Sequence, residues 1–297
     1  MAVGYSVWQY SFMKYKLATA VIILCLSTWF GVNYYKSWHE YDRIVFLDVG
    51  QGDAVLIRSR TGETMLIDGG PDDKVVYELG KYLPFWQRQI DYLVLSHPHA
   101  DHLVGLIEIL QRYKVKTALF NKVGYRSPFN EAWLEISQQF TTHESIQAGD
   151  LIDLGDSIQG EVLWPTADFI NKGSVNVNEL SNVLRFEIDG VSFLTAGDAE
   201  GTVEEWLLEL DTYLDSDIFK VTHHGSIDSN RMDFLEEVIP ELAIISVGLN
   251  NKFGHPSRTI LKRLKSIGAE VYRTDRQGSV QIKIKDGHWL VNEFIEK

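Results

Sequence analysis

The sequence predicts an α/β fold in which two mixed β-sheets are covered by outer helices, preceded by one N-terminal transmembrane helix. Three observations predict it. Short apolar runs typical of strands recur from about residue 43 onward. Helical segments interrupt these runs without strictly alternating with them, which favours two mixed sheets over one parallel sheet. An uncharged apolar segment comes before them, at residues 17–32.

The N-terminal segment, residues 1–42, is predicted to carry a membrane anchor at about residues 17–35. Aromatic residues flank the uncharged run on both sides, as they do at membrane interfaces. With Tyr34 and Tyr35 the run approaches the roughly 20 residues that a spanning helix needs. A cleaved signal peptide and a buried helix are the alternatives, and the absence of an A-x-A-like site disfavours the first.

The charges around the anchor predict its orientation. Lys14 and Lys16 precede the apolar run, whereas the basic residues that follow it are mixed with acidic ones. This weak bias favours a cytoplasmic N-terminus and places the remaining domain outside the cytoplasm. The expected topology is a single crossing of a membrane.

Residues 43–297 are predicted to form one domain. The expected strands are 44–49, 54–58, 64–67, 92–95, 116–120, 157–163, 182–188, 191–195, 218–221, 242–246, 270–273 and 279–284. The expected helices are 103–113, 131–139, 200–213, 232–238 and 258–267. The dipeptide Asp189-Gly190 predicts a hairpin between two of the strands.

Net charge and cysteine content limit the possible functions. The formal net charge of -13 argues against broad nonspecific binding of nucleic acid, which depends on Lys and Arg facing phosphates. A nucleic-acid substrate stays open, because bound cations or a local basic groove can override the net charge. Cys25 is the single cysteine of the chain. The domain after it therefore has no disulfide and no thiolate ligand.

The densest cluster of chemically active side chains is Ser96-His97-Pro98-His99-Ala100-Asp101-His102, directly after the predicted strand 92–95. Imidazole and carboxylate are the usual ligands of zinc and similar ions. The alternative is a polar loop in which Asp101 caps the helix that follows. Since capping explains one of these side chains, the cluster predicts a metal site, and its density favours two ions and hydrolytic chemistry.

Other polar clusters also follow predicted strands. The turn Asp48–Asp53 holds glycines and acids that are structural or act behind the ligands. Asp68 is expected to orient an imidazole, or to lie in a solvated turn. Asp198 follows strand 191–195, and it either bridges two ions or caps the next helix.

Two further clusters contain histidine. His223 and His224 follow strand 218–221, and adjacent side chains at a strand end tend to diverge, so one imidazole is expected to face the site. That imidazole would be a metal ligand or would protonate a leaving group. His255 precedes a predicted helix and is a candidate ligand, with a helix-entry loop as the alternative.

These motifs resemble, in this order, the metallo-β-lactamase superfamily, and most of all its branch in the ComEC-type DNA-uptake proteins of competent bacteria. The motifs are FLDVGQGDA (46–54), LIDGG (66–70), SHPHADH (96–102), LTAGDA (194–199), VTHHGS (221–226) and FGHPS (253–257). The resemblance covers about residues 43–284. It implies an αββα sandwich with metal ions at one edge of the sheets.

The resemblance also implies roles for single residues. The first ion would be held by His97 and His99. The second would be held by Asp101, His102 and His255. Asp198 would bridge the two ions, and Asp68 would support the histidine loop.

The chain departs from the superfamily pattern in two places. Residues 176–182 contain no histidine where the superfamily usually has one. The ComEC-like branch resembles this chain in having Asn and Ser there, and Asn182 is predicted to act behind the ligands. The first site is therefore weak, vacant or suited to Mn²⁺, so one or two ions, Zn²⁺ or Mn²⁺, are expected. In addition, a chain with one candidate span cannot itself be a DNA channel.

The resemblance implies a hydrolase that uses a metal-bound hydroxide, since such ions lower the pKa of bound water to about 7. The expected substrate is a phosphodiester, possibly DNA, as in a nuclease. Asp101 would orient that hydroxide, and His223 or His224 would protonate the leaving oxygen or complete a metal shell. A small or neutral ester, or a cell-envelope phosphoester, is the alternative substrate, which the acidic net charge suggests. A non-catalytic interaction domain of a competence or envelope assembly is the third hypothesis.

Overall fold

The computed structural model describes residues 3–121, 124–172 and 176–293. The chain divides into two compact units, Met1–Glu40 and Tyr41–Lys297. Helix α1 of the first unit, Val3–Trp38, contains the predicted anchor. Its portion Met13–Trp38 is long and apolar enough to cross a membrane, and its side chains there are not buried in the protein. Cys25 lies on this exposed surface.

The second unit contains fifteen strands among the described residues. The strands are β1 Asp42–Phe46, β2 Val55–Arg58, β3 Thr64–Ile67, β4 Gln89–Val94, β5 Lys114–Phe120, β6 Thr142–Ser145, β7 Leu151–Asp153, β8 Ile158–Trp164, β9 Val183–Ile188, β10 Val191–Thr195, β11 Ile218–Lys220, β12 Leu242–Ile245, β13 Glu270–Arg273, β14 Val280–Lys285 and β15 His288–Glu293. The helices are α2 Lys74–Tyr82, α3 Ala100–Arg112, α4 Pro128–Phe140, α5 Ala167–Lys172, α6 Gly201–Glu209, α7 Met232–Val238, α8 Arg258–Ser266 and α9 Thr274–Gln277. Two short 3₁₀ segments are Val177–Leu180 and Thr222–Gly225.

The strands form an eight-stranded sheet in the order β15-β14-β1-β2-β3-β4-β5-β6 and a seven-stranded sheet in the order β13-β12-β11-β10-β9-β8-β7. One buried cluster joins the facing surfaces of the two sheets. Phe46 and Phe193 meet there edge to face, with ring centroids 5.6 Å apart. Because both faces of the central strands are covered, every residue of β1 and of β10 is buried.

Two further buried clusters lie on the outer faces of the sheets. Helices α2, α3 and α4 cover the eight-stranded sheet. Helices α6, α7 and α8 cover the seven-stranded sheet. The predicted αββα sandwich is therefore confirmed, and each predicted strand and helix of this unit is present with bounds shifted by a few residues at most.

The parallel strands of both sheets end at the same edge of the sandwich, where the polar clusters lie. At this edge the backbone of α3 rests directly on the turn after β3. The amide of Gly69 donates to the carbonyl of His102 at 2.7 Å, and the amide of Gly105 donates to the carbonyl of Gly70 at 3.0 Å. A Cβ atom on Gly69 or Gly105 would overlap backbone atoms of the other segment. Glycine at both positions thus fixes α3, and with it the histidine loop, on β3.

Candidate metal centre

The histidine loop runs from the end of β4 into α3. His99 occupies the N-cap position of α3, and Asp101 lies in the first turn of the helix. The interpretation of Asp101 as the helix cap is therefore wrong. Instead its carboxylate faces the side chain of His224, with Oδ2 3.6 Å from Nε2. The loop turns the carboxylate of Asp101 and the ring of His102 toward the same space.

Asp198 is the centre of the cluster. Its Oδ2 lies 3.3 Å from Nε2 of His102, 3.6 Å from Nε2 of His224, 3.7 Å from Nε2 of His223 and 4.0 Å from Nε2 of His97. The alternative role as a helix cap does not hold, because Glu200 occupies the N-cap position of α6. One carboxylate oxygen thus faces four imidazoles.

Both His223 and His224 face this carboxylate, so the expectation that their side chains diverge is wrong. The two residues have positive φ values of 51° and 53°. In a strand, successive side chains point to opposite faces. Two consecutive residues in the left-handed conformation do not alternate in this way, so both rings point to one side. His224 is held further by its Nδ1 atom, which lies 2.9 Å from the carbonyl oxygen of Ser246.

Four side chains bring ligand atoms within 4.8 Å of one another: Asp101, His102, Asp198 and His224. His255, which the sequence analysis expected among these ligands, lies beside this group. Its ring centroid is 6.4 Å from that of His224. Asn251 fixes it there, since its Oδ1 accepts from the His255 amide at 3.0 Å.

His97 and His99 form the second part of the cluster. Nε2 of His97 lies 3.0 Å from Nδ1 of His99. Residues 176–182 add no imidazole to them. The side-chain amides of Asn176 and Asn178 in this segment donate to the carboxylate of Glu200 at 2.9 Å each. Those amides are therefore engaged away from the imidazole pair.

Asn182 and Asp68 lie behind the cluster. Asn182 donates through Nδ2 to the carbonyl of Leu95 at 2.9 Å, which holds the backbone that enters the histidine loop. Asp68 accepts from Nδ1 of His102 at 2.8 Å and from the amide of Ser96 at 2.8 Å. A carboxylate on Nδ1 directs Nε2 of that imidazole toward a metal ion.

The donor set fits a divalent cation. Nε2 of His102, Nε2 of His224 and Oδ1 of Asp198 are buried, and none has a hydrogen-bond partner among the described residues. Burial alone would lower the pKa of His224, but the carboxylates of Asp198 and Asp53 raise it to about 10. Burial would also lower the pKa of His102. The carboxylates of Asp198 and Asp68 outweigh this effect and raise that pKa well above its ordinary value. The carboxylates thus favour positive charge at this position.

A buried ion pair lies next to His224. Its cation, Lys220, was not predicted from the sequence. Lys220, at the end of β11, pairs with Asp53, and each residue is 1% exposed. Asp53 also lies 3.3 Å from Nδ1 of His224. Burial would raise the pKa of Asp53, but Lys220 and His224 hold it below its ordinary value. The signal in the sequence was a lone lysine inside the apolar run before the histidine pair.

Replacing Lys220 with methionine is expected to destabilise the protein by about 3 kcal/mol, since it leaves the buried carboxylate of Asp53 without its lysine. Urea unfolding with a chelator present measures the loss. The double variant Asp53→Asn, Lys220→Met should recover more than half of it. Equal stability of Lys220→Met and the wild type would contradict the prediction.

Glu204 positions the histidine pair through a second buried network, which the sequence analysis also missed. Its carboxylate accepts from the amides of Asn230 at 2.6 Å and Arg231 at 2.9 Å. The side chain of Asn230 in turn accepts from the amide of Thr222 at 3.0 Å and donates to its carbonyl at 2.9 Å. The residue before His223 is therefore held at both of its backbone polar groups.

The contribution of Glu204 to the stability of the protein should fall as the pH rises from about 4.5 to 7. Burial raises the pKa of Glu204 from 4.5 to about 7, so the folded state binds this proton more tightly than the unfolded state across that interval. The contribution lost is about 3 kcal/mol. Denaturant unfolding at several pH values should show this component in the wild type and not in Glu204→Gln. The same slope in both proteins would refute it.

The sequence and the fold are similar to those of known proteins. The family description "Metallo-beta-lactamase superfamily" matches residues 47–248, more than half of the chain. ComE operon protein 3 of Bacillus subtilis is 29% identical over 281 residues, which cover 89% of this chain and 36% of that protein. Competence protein ComA of Neisseria gonorrhoeae is 27% identical over 246 residues, which cover 81% of this chain and 32% of that protein. The chain thus spans about a third of the length of these curated relatives.

A solved structure shows the same fold. Igni18, a metallo hydrolase from Ignicoccus hospitalis, superposes with a TM-score of 0.55 at 15% identity, over 82% of this chain and all of that chain. At this identity the likeness concerns the fold alone. Together with the family match it confirms the resemblance inferred from the six motifs. The chain belongs to the metallo-beta-lactamase superfamily and has its metal-dependent hydrolase fold.

Proposed function

We propose that the chain is a membrane-anchored, metal-dependent phosphodiesterase whose substrate is nucleic acid or a related phosphodiester. The observation that carries the proposal is the group of ligand atoms from Asp101, His102, Asp198 and His224 within 4.8 Å of one another. Mixed imidazole and carboxylate ligands suit Zn²⁺ and also Mn²⁺. We therefore assign a resident divalent ion to these four side chains.

His97 and His99 offer a second, less complete set of donors next to the first. Asp198 suits a bridging role, because its Oδ2 lies within 4.0 Å of imidazoles from both sets. His255 is assigned to the rim of the site, where its Nδ1 is buried without a hydrogen-bond partner among the described residues. This assignment differs from the sequence-based expectation, in which His255 was a ligand of the second ion.

Different side chains of the site would orient the attacking water and protonate the leaving group. A bound divalent ion would activate water and neutralise charge on the phosphoryl oxygens. Asp101, with its side chain 33% exposed, is placed to orient that water. The side chain of His223 is 21% exposed, whereas those of His97, His102 and His224 are 2% exposed or less. Among these four imidazoles, His223 is therefore the one best placed to protonate a leaving oxygen that arrives from solvent.

The relatives and the N-terminal helix support the wider context. The name of one relative, competence protein ComA, refers to competence, which favours a nucleic-acid substrate and competence partners. Helix α1 has the length and composition of a membrane span. We propose that it anchors the protein in the bacterial inner or cell membrane with the hydrolase unit outside the cytoplasm.

The test uses the purified full chain in detergent, stripped of metal and reloaded with Zn²⁺ or Mn²⁺. Substrates are bis(4-nitrophenyl) phosphate, single-stranded DNA and 4-nitrophenyl acetate. We expect metal-dependent cleavage of the phosphodiesters, lost in His97→Ala and Asp101→Ala and kept in the exposed control Glu135→Gln. Unchanged, metal-independent turnover in the variants would refute the proposal, as would cleavage of the acetate alone. A steep salt dependence of DNA cleavage would indicate many phosphate contacts.

A further inference from the structure

The end of the eight-stranded sheet opposite the metal centre carries exposed aromatic and basic side chains. We define this basal surface by the loop 83–88, the junction of α3 with β5 and the end of α4. Phe85 is 73% exposed, Trp86 is 40% exposed, and Phe140 is 54% exposed. Arg88 and Lys114 are exposed beside them. Aromatic rings together with cations are typical of surfaces that rest at a lipid interface.

These segments lie at one end of the sheet because strands β3 to β6 run parallel. Gln89, the first residue of β4, pairs in register with Lys114, the first residue of β5. The amide of Lys114 donates to the carbonyl of Arg88 at 3.0 Å. The side chain of Gln87 donates to the carbonyl of Gly62, in the turn between β2 and β3, at 2.9 Å.

The start of β1 belongs to the same end. The carboxylate of Asp42 accepts from the amide of Arg60 at 2.7 Å, in that same turn between β2 and β3. Asp42 follows the last residue of α1, Trp38, by four positions. Four residues of extended chain span at most about 14 Å. The start of β1 is therefore tethered within about 14 Å of the last residue of the proposed membrane helix.

The two sheets differ in charge at this end of the sandwich. The eight-stranded sheet presents Arg88 and Lys114 there, whereas the seven-stranded sheet presents acidic residues. The loops and strand ends of the seven-stranded sheet at this end carry exposed acidic residues: Asp153, Asp156, Asp215, Glu241 and Glu270. An anionic bilayer would repel these carboxylates and attract Arg88 and Lys114. The protein as a whole has a net charge of -13, so a basic surface within it is a local feature.

We propose that the basal surface docks on the anionic lipid surface, with Phe85 and Trp86 among the headgroups and Arg88 and Lys114 facing lipid phosphates. This inference rests on the proposed membrane anchor. Its consequence concerns the substrate, because the metal centre lies at the opposite ends of strands such as β5. A strand of this length spans about 20 Å. The site therefore faces away from the bilayer and takes a phosphodiester from the aqueous phase, not from a lipid.

The test places nitroxide spin labels on the full chain in nanodiscs. In a Cys25→Ser background, one variant carries the label on Phe85→Cys and the control variant carries it on Leu249→Cys. Leu249 is 71% exposed and lies in the loop after β12, at the metal-centre end. Accessibility to the neutral, water-soluble relaxant Ni(II)-EDDA is measured in discs of phosphatidylcholine with and without phosphatidylglycerol. We expect several-fold lower accessibility at position 85 than at position 249 in the anionic discs. Charge reversal by Arg88→Glu with Lys114→Glu should abolish the difference, whereas Lys262→Glu with Lys265→Glu on α8 should not.

Equal accessibility at the two positions in anionic discs overturns the inference. Protection of position 85 that persists in detergent and disappears on dilution indicates a second copy of the chain as the occupant, and it also overturns the inference. Extraction of the protein from membranes by alkaline carbonate shows failure of the anchor itself. A protein that resists extraction and still exposes position 85 refutes the docking surface alone, and the metal-dependent assay of the proposed function is independent of both results.

Discussion

Replacing Asp198 with alanine is expected to abolish metal-dependent hydrolysis and to lower metal affinity by well over 100-fold. The reason is its position, with one carboxylate oxygen within 4.0 Å of four imidazole nitrogens. Loss of a group that only supports a ligand already costs about 10–100-fold in affinity or activity, and a central ligand should cost more. Isothermal titration with Zn²⁺ and Mn²⁺ measures the affinity, and bis(4-nitrophenyl) phosphate cleavage measures the activity.

Two further variants separate this effect from misfolding. Asp198→Asn keeps the size of the side chain and removes its charge, so it should fold normally and still bind metal weakly. Asp156→Asn makes the same chemical change at an exposed position and should behave as the wild type. Wild-type metal affinity in a folded Asp198→Asn protein would mean that Asp198 is not a ligand.

The second large effect is expected at His224, compared directly with His255. His224→Ala should lose metal affinity to a degree similar to Asp198→Ala, because Nε2 of His224 belongs to the group of four ligand atoms. His255→Ala should keep metal affinity within a few-fold of the wild type and lower kcat, because its ring lies at the rim. Metal content after dialysis, together with kcat and KM, distinguishes the two residues.

The opposite result would restore the sequence-based assignment. If His255→Ala loses the metal and His224→Ala retains it, His255 is the ligand and the structure-based proposal fails. His143 provides a matched control, since it is a partly buried histidine on β6 that lies outside the group of four. His143→Ala should change neither metal content nor kcat.

The sequence predicted the core of the fold well where apolar runs are bounded by strong turn signals. The bounds of β3, α7 and β13 agree residue for residue with the expected ranges. Strand β6, Thr142–Ser145, was missed because it is polar and largely exposed, and its pairing with β5 at the sheet edge makes it a strand. Strand β15 follows Asp286-Gly287, a hairpin signal of the same kind as the one used at Asp189-Gly190.

The sequence also predicted which loops carry the candidate site residues, but it did not predict their geometry. Polar clusters after apolar strands identified the loops, because the ends of parallel strands converge at one edge of a sheet. The choice between His224 and His255 depends on two positive φ values at His223 and His224, which residue type does not reveal. The role of Lys220 depends on a carboxylate 167 positions earlier in the chain, and only the folded chain brings the two together.

The close approach of Gly69 and Gly105 limits how the histidine loop can move. Backbone hydrogen bonds hold α3 on the turn after β3, and α3 carries Asp101 and His102. These two candidate ligands are therefore coupled to the sheet, and any displacement would move them as a pair together with that turn.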